Sequence, residues 1–270
     1  MSAPIVDIQF EEQTFFVRAH GHNLRVMTIL PQGGQITNPA TLVFLHEGLG
    51  SIGQWRDFPR ALAEATGLGA VVFDRHGFGG SDQLGRESGQ YLQREDLSGL
   101  AGVLEARSVR APILVGHSDG GTIALLYASQ FPGQPLAVIT LAAHVFVEEA
   151  TLAGIRKAVL AFETGALRQK LHRYHGENTD SMFDGFKDDW LQPRYRDWSI
   201  QSCLPSIRCP LMVIQGEDDE YGTVAQVDAI TGGVSGRVES VLIPACGHNP
   251  HFQARERVIA EMKRFIEGSI

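Results

Sequence analysis

Gly116-His117-Ser118-Asp119-Gly120-Gly121 decides how the rest of the chain reads. An apolar run, 112–115, precedes it, and a glycine-free stretch of helical character, 122–131, follows it. Ser118 therefore falls on a strand-to-helix turn. Glycines on both sides of the Ser let the backbone bend tightly and aim the hydroxyl beyond the carboxyl edge of a sheet. A Ser hydroxyl is a weak nucleophile until a base removes its proton, and the base needs a third group to hold its tautomer. Further along, the chain supplies an acid and then a His. The run 211–215 leads into Gly216-Glu217-Asp218-Asp219, and the run 238–243 leads into Pro244-Ala245-Cys246-Gly247-His248. Both segments lie just past strand carboxyl ends, where open α/β sheets gather their ligands. Ser118 reads as nucleophile, His248 as base and an Asp near 219 as the group that orients the His.

Outward from this turn, apolar strand-like runs recur at 41–45, 70–73, 112–115, 136–141, 211–215 and 238–243, and helical candidates fall near 54–66, 90–107, 119–131, 223–231 and 253–267. Continuous apolar runs suit strands covered on both faces, and the intervening helices are long enough for crossovers. The expected class is α/β, an open, mostly parallel, doubly wound sheet. Two β-rich runs, 14–19 and 23–30, flank His20-Gly21-His22 and predict an N-terminal hairpin. The rhythm breaks once, between residues 141 and 211. Residues 147–204 read as a helical lid rich in aromatics, inserted into a core domain formed by 1–146 and 205–270. Trp190 and Trp198 are expected to be exposed aromatic substrate contacts of that lid.

A tetrahedral intermediate needs two fixed N–H donors at its oxyanion. Asp119 N–H is the first candidate. Gly48 N–H, in His46-Glu47-Gly48-Leu49-Gly50 after an earlier strand, is the second. The segment 74–81 after the next strand is expected to shape the pocket wall without being catalytic. His144, at the end of another strand, is a candidate for a polar substrate contact. Glu47 and Asp119 each place a carboxylate near the site, to orient a polar substrate group or to remain solvated or salt-bridged. His172 and His175 stand at i, i+3 without a third metal ligand, so no metal is expected; His20, His22 and His251 read as surface or capping residues.

With these motifs in place, the chain resembles the α/β-hydrolase superfamily over essentially its whole length. It is most similar to small bacterial lid-bearing serine hydrolases: carboxylesterases, enol-lactonases and C–C bond hydrolases. The resemblance implies a triad of Ser118, Asp219 and His248, with the acid three residues beyond the Gly that ends its strand, and no cofactor. Adjacent residues of an extended loop point to opposite sides, so Asp218 and Asp219 cannot both reach the imidazole. Where the family's oxyanion loop usually reads His-Gly-x, this chain has His46-Glu47-Gly48. The implied reaction is hydrolysis of a small or medium ester or lactone, with cleavage of a vinylogous diketone or perhydrolysis as alternatives.

Two readings from other classes stand beside it. Gly48-Leu49-Gly50-Ser51-Ile52-Gly53 satisfies the dinucleotide-binding pattern, with Asp74 about 20 residues on. However, two residues separate it from its strand, and it follows a hairpin rather than opening the first βαβ unit. A non-enzymatic ligand receptor on the same fold is the other, since fold alone does not fix function.

Composition narrows the partners. A chain with 43% hydrophobic and 20% charged residues is ordinary for a globular protein. Its 31 acidic and 23 basic side chains give a net charge of −8, which argues against nucleic acid or anionic membrane as partner and leaves a homo-oligomer open. The N-terminal residues lack the basic and apolar regions of a signal peptide, and the three Cys lack metal or disulfide spacing. A cytoplasmic protein is expected.

Overall fold

The computed structural model describes residues 9–33, 40–83 and 95–270; residues 90–94 of the helix expected over 90–107 lie outside the described residues. Eight strands, β1 (Phe10–Ala19), β2 (His22–Pro31), β3 (Ala40–Leu45), β4 (Ala70–Phe73), β5 (Ala111–His117), β6 (Ala137–Leu141), β7 (Leu211–Gly216) and β8 (Val238–Ile243), form one sheet in the order β1-β2-β4-β3-β5-β6-β7-β8. From β4 to β8 the strands are parallel. The expected hairpin is present as β1 and β2, and β2 joins the sheet antiparallel to β4. Its tight turn places His20 at φ 47° and Gly21 at φ 88°, the left-handed pair that matches the twist of two antiparallel strands.

Helices α1 (Phe58–Thr66), α2 (Glu95–Ala106), α3 (Asp119–Gln130), α4 (Glu149–Glu163), α5 (Ala166–His175), α6 (Thr179–Leu191), α7 (Val224–Gly233), α8 (Pro250–Gln253) and α9 (Arg255–Glu267) cover the sheet and its carboxyl edge. The helix expected near 54–66 is broken, and the one expected near 253–267 is present as α9 with a short separate turn before it. Arg56, at φ 52°, separates a short turn over Ile52–Trp55 from α1, and Ala254, at φ −134°, separates α8 from α9.

Strand alternation sorts the core. Leu42 and Phe44 of β3 face α1 and α9, packing with Phe58, Leu62, Met262 and Phe265. Val43 and Leu45 face the other way, toward a core that includes Leu100 of α2, Ile123 and Leu125 of α3 and Val227 of α7. Every residue of β3, β4, β6 and β7 is buried, as their unbroken apolar runs require.

After β3 the chain moves outward to β4 and then returns to place β5 on the opposite side of β3. That reversal opens a crevice at the carboxyl ends of β3 and β5. Helices α4, α5 and α6, inserted between β6 and β7, lie over this edge. Phe162 and Phe183 stack at 3.7 Å within the insertion. Buried polar bonds fasten it to the core: Gly79 N donates to His175 Nδ1 (2.9 Å), His175 Nε2 donates to Leu49 O (3.0 Å), and Asn178 Nδ2 donates to Ser81 O (2.8 Å). Among the described residues no helix is long and apolar enough to cross a membrane.

Candidate active site

Ser118 follows the last residue of β5 and precedes the first of α3, at φ 52° and ψ −117°. A non-glycine residue in this region carries about 1–3 kcal/mol of strain, which the surrounding bonds must hold. Ser118 N donates to Leu141 O (2.8 Å), and Gly121 N donates to Ser118 O (2.8 Å). The flanking glycines are dictated by backbone contact. A Cβ on Gly116 would overlap the Gly120 backbone, and one on Gly120 would overlap the Leu45 carbonyl. Gly120→Ala is therefore expected to destabilise the fold by about 3 kcal/mol or more. Thermal unfolding should show a drop of at least about 6 °C; an unchanged midpoint would mean that the turn can rearrange.

The acid and base loops meet because β7 and β8 are neighbours and Gly216 presses against the Cys246 and Gly247 carbonyls, where a side chain would not fit. His248 Nε2 lies 3.0 Å from Ser118 Oγ, and His248 Nδ1 lies 2.9 Å from both carboxylate oxygens of Asp219. Asp219 also accepts from Gln215 Nε2 (2.7 Å) and Tyr221 N (2.8 Å). Burial alone would raise the pKa of Asp219, but the hydrogen bond and charge of His248, with the Tyr221 N–H, hold it below the ordinary carboxylate value. Burial likewise works against charging His248, yet the Asp219 contact and the nearby carboxylates Glu47 and Glu220 outweigh it and raise its pKa. Two backbone bonds seat His248: its N–H donates to Glu220 Oε2 (3.2 Å), and its carbonyl accepts from His117 Nε2 (2.8 Å).

The loop after β3 is held with equal care. The Glu47 carbonyl accepts from Gly50 N (3.0 Å), His46 Nδ1 (2.8 Å) and Arg75 Nη2 (2.9 Å). Among the described residues no peptide is cis, so Gly48 N–H points away from this cluster. Gly48 itself lines the cavity that Ser118 opens into and abuts Asp119, whose Oδ2 would lie 2.6 Å from a Cβ on Gly48.

That cavity has a volume of about 150 Å³. Leu49, Ile155, Phe186, Trp190 and Tyr221 form its apolar wall, and Glu47, His144 and Glu220 add polar groups. The ring of His144 stacks on His248 at 5.8 Å, and its pKa is lowered to about 4 by burial and by the neighbouring His248. It is the neutral imidazole near pH 7.

Several expectations need correction. Trp190 lines the cavity, but it is 2% exposed; Trp198 is 9% exposed, lies outside the lining and packs edge-on against Trp190. Neither is the exposed contact expected, because α6 turns Trp190 inward and the loop after it packs Trp198 against that indole. Residues 74–81 do not line the cavity. Asp74 accepts from Ile52 N (2.6 Å) and Gly80 N (2.9 Å), while Arg75 braces His46 and Glu47, so this segment buttresses the loop that carries Gly48. With its carboxylate so engaged and fully buried, Asp74 cannot serve the ribose of a dinucleotide. His251 is not a surface residue: it is buried against Trp55, Phe58 and His117. Tyr221, whose ring lies 4.7 Å from that of His248, was not singled out from sequence, although it stands only two residues beyond Asp219.

A doubly wound sheet whose carboxyl edge joins a strained Ser, a His and a buried Asp has the architecture of the α/β-hydrolases. The model of the alpha/beta hydrolase family matches residues 42–261, and the chain belongs to that family. It is 24% identical over 205 residues to the serine hydrolase BPHL of Mus musculus, covering 73% of this chain and 67% of that protein. It is 23% identical over 212 residues to the bifunctional esterase/perhydrolase DCH of Acinetobacter calcoaceticus, covering 67% of this chain and 75% of that protein. Among solved structures, a serine hydrolase involved in carbazole degradation superposes with a TM-score of 0.75 at 20% identity, over 95% of this chain and 99% of that one. A meta-cleavage product hydrolase from Pseudomonas fluorescens IP01 superposes with a TM-score of 0.72 at 15% identity, over 98% and 99%.

Proposed function

We propose that this protein hydrolyses small or medium carboxylic esters or lactones through an acyl-enzyme on Ser118. The observation that carries the reading is the continuous hydrogen-bonded line from Asp219 through His248 to Ser118 Oγ. In this reading His248 takes the Ser118 proton as Oγ attacks the carbonyl, and Asp219 fixes the imidazole tautomer and steadies its positive charge. The N–H groups of Asp119 and Gly48 receive the oxyanion. His248 returns the proton to the leaving alkoxide, and water then releases the acid. No cofactor takes part. Among the described residues, three carboxylates, Glu47, Asp119 and Glu220, and no Lys or Arg line the cavity, which favours uncharged acyl groups over acidic ones. A cavity of about 150 Å³ accepts a group about the size of benzene.

Kinetic comparison of neutral esters, lactones, vinylogous diketones and an ester with added hydrogen peroxide tests the assignment. The expected result is turnover of esters or lactones above the other two reactions. Perhydrolysis remains the second reading, supported by the Acinetobacter relative; a dominant diketone or peroxide activity would replace the proposal. Within an ester chain-length series, Trp190→Ala is expected to shift the optimum toward longer acyl groups, whereas Trp198→Ala lowers stability without changing the rank order. Equal effects of the two would leave the insertion no role as a selective lid.

Because the base must be neutral to act, kcat/KM should rise with pH through the pKa of His248. That pKa is raised, so the acid limb of the profile should have its midpoint above the ordinary His value of about 6.5. A midpoint below that value would contradict the raised pKa of His248, and a profile with no acid limb would contradict His248 as the base. A small-molecule substrate and a cytoplasmic location complete the proposal; the free thiols Cys203, Cys209 and Cys246 agree with the latter.

A further inference from the structure

Behind the active-site cavity lies a second, much smaller one of about 20 Å³, the room one water molecule needs. Glu47 and Asn249 line both, so these two residues stand where the two cavities adjoin. The far side of the small compartment is formed by Trp55, His117 and His251, all nine-tenths or more buried. Trp55 Nε1 and His251 Nδ1 have no hydrogen-bond partner among the described residues. Buried polar atoms are nearly always satisfied, and a polar pocket of this size has room for a water. An indole N–H can donate to such a water, and a neutral imidazole nitrogen can accept from it. The compartment also adjoins the proposed base: the His117 ring that lines it packs on His248 at 5.1 Å. Burial raises the pKa of Glu47, and the neighbouring His248 and Arg75 work against that rise.

We propose that this compartment supplies the water that cleaves the acyl-enzyme, and that Glu47 is the positioning residue at its doorway. The inference rests on the acyl-enzyme reading above. The Glu47 carboxylate accepts one O–H of the entering water, and the other O–H points to His248 Nε2. The water oxygen bonds to the acyl carbon as its proton passes to His248. The bond from carbon to Ser118 Oγ then breaks, and Oγ takes the proton back from His248. Water and acyl-serine are consumed, acid and free serine are formed, and Glu47 ends unchanged. The role also explains a carboxylate at the second position of the loop after β3, where a bare glycine would suffice to present the Gly48 N–H.

Rapid-mixing kinetics with a 4-nitrophenyl ester separate acylation, read as the burst of nitrophenol, from deacylation, read as the steady rate. Measured on the alkaline plateau, any effect of Glu47 on the charge of His248 falls on both steps alike. Glu47→Met is expected to slow deacylation at least tenfold while changing the burst rate less than threefold. Glu47→Gln, which keeps an acceptor oxygen, should recover part of that loss. Added methanol, entering from the open pocket, should capture a share of the acyl-enzyme at least fivefold larger in Glu47→Met than in wild type. Trp55→Phe, which removes the indole donor and leaves the carboxylate in place, should slow deacylation alone. Equal slowing of both steps, or an unchanged ratio of methanol to water capture, overturns the proposal. Failure to find the acyl mass on Ser118 in quenched wild-type enzyme would instead remove the acyl-enzyme reading itself, and the water proposal with it.

Discussion

Ser118→Ala is expected to lower kcat by about 10⁴ to 10⁶ while leaving the fold intact. The size follows from what remains. Without Oγ there is no attacking atom within reach of His248 Nε2, now 3.0 Å away, and the oxyanion donors have no tetrahedral intermediate to stabilise. The fold survives because the bonds that hold the turn run through the backbone of residue 118, not its side chain. The positive φ persists with Ala, so Ser118→Gly should be the more stable of the two inactive variants. The measurements are turnover on an activated ester, labelling by a fluorophosphonate and thermal unfolding. Labelling should vanish with turnover. Retention of more than about a tenth of the wild-type rate would remove Ser118 as nucleophile, and a folded wild-type protein that resists the probe would favour a ligand receptor.

The second large effect separates two neighbours in an acidic run. Asp219→Asn should reduce kcat by about 10⁴, by analogy with the same change in serine proteases, because an amide keeps the shape but favours the wrong imidazole tautomer. Asp218→Asn should cost little. The Asp219 side chain is fully buried against His248, whereas Asp218 is exposed and enters the site only through its backbone N–H, which donates to Cys246 O. Steady-state rates of both folded variants on one ester decide the matter. A larger loss in Asp218→Asn would transfer the acid role to that residue.

How far these residues could be read in advance depended on how local their cause is. Strands β3 to β7 announce themselves as apolar runs because both faces are covered, and Ser118 and Asp219 each sit just past such a run, whereas His248 follows the half-exposed edge strand β8. Their convergence follows from strand order alone. The inserted helices were legible as helices but not in their orientation: a side chain on a helix flanked by several surfaces can face any of them, so Phe186 and Ile155 were not singled out, and Trp198, in the loop beyond those helices, packs inward on Trp190. The 74–81 segment was misread for a similar reason, since Asp74 and Arg75 bind residues 46–52, more than 20 positions earlier, and nothing in the local pattern reports it. His175 and His251 carry polar rings whose burial is set wholly by partners distant in the chain.

The fastening of α5 and α6 to the core bears on how substrate arrives. His175 and Asn178 tie the insertion to residues 49, 79 and 81 through buried bonds that would all have to break before these helices could lift. Enzymes that work at a lipid surface gain rate when such a cover peels back on contact with aggregated substrate. A cover pinned in this way must lose those bonds before it can be pulled aside. On the proposed ester reading, the rate is expected to saturate smoothly with concentration, with no jump where the ester begins to form droplets or micelles.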